Sequence, residues 1–129
     1  MRVNIKSSDQ SQLIDITKDI QAVVRQADIT YGLVHIFSMH TTAGVTINES
    51  ADPDVRTDII KIMNKIVPWE DNYRHMGGNA AAHAKAILVG SSELVAIENR
   101  ELVLGKWQAI FFCEFDGPRE RTVRLKFIK

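Results

Sequence analysis

The sequence holds little of what would mark a specialised class. It has one cysteine, Cys113, so no internal disulfide can form and nothing calls for an oxidising compartment. Lysine plus arginine number 16 and aspartate plus glutamate 16, so the formal net charge is zero. A chain without net positive charge lacks the long-range field that holds nucleic acid by counterion release, and no nucleic-acid partner is expected. No apolar run approaches the roughly 20 residues needed to span a bilayer. The first residues are polar and carry no apolar signal segment. A cytoplasmic protein without a membrane partner is therefore expected. There is no Walker loop, CxxC pair, HExxH or nucleophile elbow. No repeat, low-complexity tract or linker interrupts the chain.

What is present reads as one domain spanning residues 1–129, long enough to bury roughly two thirds of its unfolded surface. Met1 to Ile5 and Leu13 to Ile16 have the character of short strands. Thr17 is placed to cap a helix with Ile20, Val23, Val24 and Ala27 at helical spacing. Gly32 opens an apolar strand ending at His40, and Val45 to Glu49 forms the next. Asp52-Pro53 starts a helix with a buried stripe of Val55, Ile59, Ile62, Met63 and Ile66. Asn79 is placed to cap an alanine-rich helix that Gly90 ends. Strands follow at Leu94–Ile97, Leu102–Leu104, Trp107–Phe115 and Thr122–Ile128. The pattern predicts an α+β fold, a mostly antiparallel or mixed sheet with helices on one side.

Two of the four histidines, His75 and His83, lie in the stretch from Tyr73 to Leu88. Asn79 and His83 are four apart and share a side of the helix. His75 precedes the helix start, where backbone donors and the dipole favour an anion. The plainer reading is a closely packed helix with one surface and one core histidine. His40 ends an apolar strand, and the following strand, ending in Asn48 and Glu49, is expected to pair with it. That pairing would bring an imidazole and a carboxylate to one sheet edge; a carboxylate that only favours the next helix start is the alternative. His35 and Cys113 read as structural. Glu114 leaves an apolar strand and so calls for a partner. Asp116, Arg119 and Arg121 follow it, as a metal or phosphate site or as a surface ion-pair network.

Five ordered segments carry a resemblance over nearly the whole chain. They are His40 to Glu49, Tyr73-Arg74-His75, Asn79 to Ala86, Leu102 to Gln108, and Cys113 to Arg119. Together they resemble the YjbQ family (UPF0047). The resemblance implies a small α+β protein that forms homotrimers and carries a weak thiamine-phosphate synthase-like activity. That reaction joins a pyrimidine diphosphate to a thiazole phosphate with release of pyrophosphate, ordinarily with Mg²⁺ or another divalent metal. The candidate positions are then His40, His83 and Glu49 for catalysis, with Asn48, His75, Asn79, Asp116 and Arg119 for a phosphorylated small molecule. His40, His83 and Glu114 are the candidate metal donors. The rival reading is a metal- or phosphate-binding homotrimer whose catalysis is incidental. The chain departs from the family pattern in carrying Lys106 before Trp107-Gln108 and Asn99-Arg100 in a turn where glycine is common.

Overall fold

Apolar residues spaced two apart in the strands, and on one flank of the helices, sort this chain into three layers. The computed structural model describes all residues 1–129. In chain order the elements are β1 (Arg2–Lys6), β2 (Gln12–Asp15), α1 (Thr17–Ala27), β3 (Tyr31–Ser38), β4 (Ala43–Glu49), α2 (Pro53–Ile66), α3 (Ala80–Val89), β5 (Ser92–Glu98), β6 (Glu101–Leu102), β7 (Gln108–Glu114) and β8 (Glu120–Ile128). The fold is α+β in one domain, as the pattern predicts. Its strands form two sheets, both antiparallel throughout: five strands in the order β1-β8-β3-β5-β6, and three in the order β2-β7-β4.

The two sheets share one apolar core. Val34, Ile36, Val95, Ile97, Val123 and Leu125 of the large sheet cluster with Val45, Ile110 and Phe112 of the small one. Ile20 and Val24 of α1 join the same cluster. Strand β7 is buried on both faces, as a near-continuous apolar run should be. Its other face, Ala109, Phe111 and Cys113, packs with Ala82 and Ala86 of α3 and with Ile59, Ile60 and Met63 of α2. Cys113 is core, and burial pushes its thiol up to about 12. The small side chains of α3 permit close approach. A Cβ on Gly44 of β4 would lie 2.5 Å from the Gly90 carbonyl oxygen, which accepts the Val45 N–H at 3.0 Å.

Several expectations change. Strand β4 does not pair with β3; it pairs with β7 in the other sheet. Thr17 is not the cap of α1. Ile16 holds that position, Asp15 accepts the Thr17 N–H, and the Thr17 hydroxyl accepts the N–H of Ile110. No residue of α2 is fully buried. The helix turns Ile59, Ile60 and Met63 to the sheet and leaves Ile62 and Ile66 exposed on its shoulder. Asn99 and Arg100 both adopt left-handed backbone (φ 52° and 65°), so the β5–β6 hairpin closes without glycine.

Candidate functional site

The polar end of the molecule begins where β7 runs out. Glu114 is fully buried, and each of its oxygens is met. Oε1 accepts from Ser7 Oγ at 2.7 Å and from Arg121 Nε at 2.8 Å. Oε2 accepts from the Asp116 N–H at 3.0 Å and from Arg121 Nη2. Arg121 also donates to Thr42 Oγ1 at 2.8 Å. Burial alone would raise the Glu114 carboxyl, but the Arg121 hydrogen bonds, with those from Ser7 and Asp116, hold it below the usual carboxylate range. The partner this carboxylate called for is therefore an arginine 7 residues on, across the turn at the start of β8. The turn between them packs hard. A Cβ on Gly117 would lie 2.3 Å from the Asp9 carbonyl oxygen.

His40 lies just beyond β3. Its Nε2 accepts the Thr122 N–H at 2.9 Å, continuing the β3–β8 ladder with a side chain. A ring that accepts at Nε2 is neutral with its proton on Nδ1. Burial, with the charge of Arg121 added, holds its pKa below the ordinary histidine range. The opposite wall belongs to α3. His40 and His83 line one open groove of about 370 Å³, with Thr41 and Ser91 between the strand and helix ends. His83 also meets His75, ring centroids 5.4 Å apart and edge to face. Beside them Asp116 Oδ2 accepts from Asn79 Nδ2 at 2.8 Å and from Arg119 Nη2 at 2.9 Å. Asn79 therefore stands at the α3 cap position without capping it, because its amide is turned to Asp116 and its Oδ1 is buried without a partner. Arg119 is about half exposed; its Nε and Nη2 both donate to Asp116, which leaves Nη1 to reach a ligand.

Seven of the nine expected positions thus share this end: His40, His75, Asn79, His83, Glu114, Asp116 and Arg119. Asn48 and Glu49 do not. They close the far end of β4, opposite Ala109 and Gln108, whereas Ala43 at the near end is opposite Glu114. Six strand steps, roughly 20 Å, separate the two ends, so Glu49 and His40 do not meet at one sheet edge. The candidate metal set is not assembled either. His40, His83 and Glu114 form no cluster of donors that could hold an ion, since both Glu114 oxygens are spent on internal donors and His40 has only Nδ1 left. Mg²⁺ seeks oxygen ligands, and the one other carboxylate here, Asp116, is engaged by Asn79 and Arg119. The two carboxylates at this end, with their oxygens so engaged, do not fit a protein-held Mg²⁺. Of the two residues that complete the buried network, Ser7 carried no signal in the sequence beyond its lying in a polar turn, and Thr42 stood out only as part of the His40 to Glu49 segment.

Comparison with known proteins adds a lineage. The family model described as "UPF0047 protein YjbQ-like" matches residues 1–129. The UPF0047 protein YugU of Bacillus subtilis is 48% identical over 127 residues, covering 98% of this chain and 96% of that one. A UPF0047 protein of Methanocaldococcus jannaschii is 42% identical over 127 residues, covering 98% and 92%. The crystal structure of an uncharacterized conserved protein of the YjbQ/UPF0047 family from Clostridium acetobutylicum superposes with a TM-score of 0.97 at 47% identity, covering 99% of each chain. The conserved hypothetical protein TT1486 from Thermus thermophilus superposes at 0.93 with 35% identity, covering 99% of each.

Proposed function

The chain belongs to the YjbQ-like UPF0047 family, and we propose that its histidine groove binds a phosphorylated small molecule and supports a weak transferase reaction of the thiamine-phosphate synthase type. One observation carries this reading. His75 and His83 stand 5.4 Å apart with no internal hydrogen-bond partner, beside the half-exposed Arg119. Two unengaged imidazoles, of which His83 lines the groove and His75 the neighbouring pocket beside Tyr73, suit together with a guanidinium the oxygens of a phosphate or pyrophosphate. In this arrangement Arg119 and His75 bind the anion. His83, between His75 and the groove, moves a proton to the departing oxygen. His40 is a fixed neutral donor through Nδ1. Asp116 orients Arg119 and Asn79. A divalent ion, which would offset charge on a leaving pyrophosphate, would have to come with the ligand's own phosphates.

Self-association belongs to the same reading. The large sheet leaves Tyr31, Leu33, Phe37, Leu94 and Ile128 exposed on its outer face with no helix over them. We propose that copies of the chain cover this face in the homotrimer the family resemblance implies. The test of the site is formation of thiamine phosphate from the pyrimidine diphosphate and thiazole phosphate, with and without Mg²⁺, alongside pyrophosphate binding by calorimetry. Turnover and binding that both fall in His83→Ala support the proposal. Binding that falls without any wild-type turnover favours the phosphate-binding alternative. Pyrophosphate binding unchanged in both His83→Ala and Arg119→Ala sinks the site.

A further inference from the structure

Charge is left unanswered on the outer face of the large sheet. Strand β8 runs there between β1 and β3, and the register sets Arg2 opposite Arg124 and His35 opposite Lys126. Directly opposite side chains stand about 5 Å apart at Cβ. Two basic pairs therefore occupy neighbouring rows of one face. No carboxylate lies within salt-bridge distance of any of the four. The acidic residues of this face lie beyond the two rows, Glu120 opposite Lys6 and Glu98 opposite Tyr31. Like charges opposite one another destabilise a sheet, and on a chain of net charge zero the row is no by-product of a basic composition. A groove of about 270 Å³ lies against these rows, lined by His35, Phe37, Arg124 and Lys126. His35 and Phe37 stack with centroids 5.9 Å apart and give it an aromatic wall. It shares no lining residue with the histidine groove.

We propose that this groove is a second anion site, for a chain of two or three phosphates, inorganic or the tail of a nucleotide. The spacing sets the length. Cations spread about 5 Å across the sheet and roughly 7 Å along it outspan a single phosphate. The chemistry sets the anion. The guanidiniums of Arg2 and Arg124 take oxygens in pairs, and the Lys126 ammonium adds a point charge beside them. A bound polyanion also relieves the repulsion between Arg2 and Arg124. The site is built from one chain. The apolar residues proposed to meet other copies lie on β3, β5 and the end of β8, so the groove borders that contact.

The experiment is calorimetry of the full chain at low salt with tripolyphosphate as the probe. Arg119→Ala with His83→Ala removes the anion groups of the histidine groove, and one tripolyphosphate per chain should still bind. Adding Arg124→Gln and Lys126→Gln should weaken that binding at least about tenfold. Both side chains are exposed, so their loss leaves the core untouched. Lys61→Gln with Lys65→Gln, the same change of charge on α2, should leave binding as it was. Should the histidine reading fail, wild type will show the outer site alone, still lost in the β8 pair, so the two failures are distinct. Equal affinity for tripolyphosphate and adenosine triphosphate assigns the site to the phosphate chain alone. Tighter adenosine triphosphate, weakened by Phe37→Leu, assigns it to a nucleotide. No saturable binding in Arg119→Ala with His83→Ala, or equal weakening by the α2 and β8 pairs, overturns the proposal.

Discussion

Removing the Glu114 carboxylate is the perturbation whose outcome the structure fixes most tightly. Glu114 is 0% exposed and Arg121 3%. Glu114→Ala would leave the guanidinium buried with only Thr42 to receive it, and would free the Ser7 hydroxyl and the Asp116 N–H as well. Breaking a buried pair on one side typically costs about 3–5 kcal/mol, because the surviving charge keeps its desolvation penalty. A domain of this length has about 5–15 kcal/mol in all, and each kcal/mol moves its midpoint by roughly 3–5 °C. Urea unfolding of Glu114→Ala should therefore show a loss of about 3–5 kcal/mol, with Tm lower by roughly 10–20 °C. Glu114→Gln keeps the shape and loses the charge, and should fall between. Coupling belongs to the same reasoning. Arg121→Met in the Glu114→Ala background should cost much less than Arg121→Met alone, since the orphaned charge has gone. The pH dependence has a defined sign. A carboxyl held below its unfolded value stabilises above the ordinary glutamate range and loses that contribution as pH falls through the folded value. A Glu114→Ala loss under about 1 kcal/mol, or additive single and double variants, would refute the view that this pair organises the site end.

Other outcomes follow from single contacts. His40 should titrate below 6.5 by NMR; since the unfolded chain then binds the extra proton first, its contribution to stability is full above that value and falls as pH drops through the window below it. Gly44→Ala drives a Cβ to 2.5 Å from the Gly90 carbonyl, and should cost at least about 1–3 kcal/mol in denaturant unfolding. Leu94→Lys on the exposed outer sheet face should shift the proposed trimer toward monomer in sedimentation while leaving the circular-dichroism spectrum native. Lys85, buried on α3 with Asn64 as its hydrogen-bond partner, has its pKa lowered by burial; Lys85→Met should change stability by less than about 1 kcal/mol or raise it, as thermal unfolding at neutral pH will show.

The fold was largely legible because periodicity reports burial directly. Alternation in β8 placed Val123, Leu125 and Phe127 on the inner side, and the double-sided apolar run of β7 marked a strand covered on both faces. Sequence pattern does not report which strands pair, and that is where the site reading went astray. A hairpin of β3 and β4 closed over residues 41–44 would already have set Glu49 opposite Ile36, about four positions from His40, so the shared edge fails on register alone. In the fold β3 and β4 leave for different sheets altogether, and the chain crosses the core between them. Glu49 travels down the small sheet to its far end, and Glu114, distant in sequence, arrives at the histidine end in its place. The buried charges were legible only in part. An apolar strand ending in Glu114 predicts that a partner exists, but Ser7 and Arg121 are chosen by tertiary packing from 107 residues before it and 7 after it. Arg56 gave no sign, because a basic residue in the first turns of an amphipathic helix reads as solvated, whereas in the fold its guanidinium packs over Phe111 and its Nε is buried. The family's motif around β4 therefore serves two places at once. Its first residues, His40 and Thr41, line the groove where a phosphate would bind, and its last, Asn48 and Glu49, close the opposite end of β4. Substitutions at the two ends of that one motif should accordingly separate, His40 variants altering anion binding and Asn48 variants leaving it unchanged.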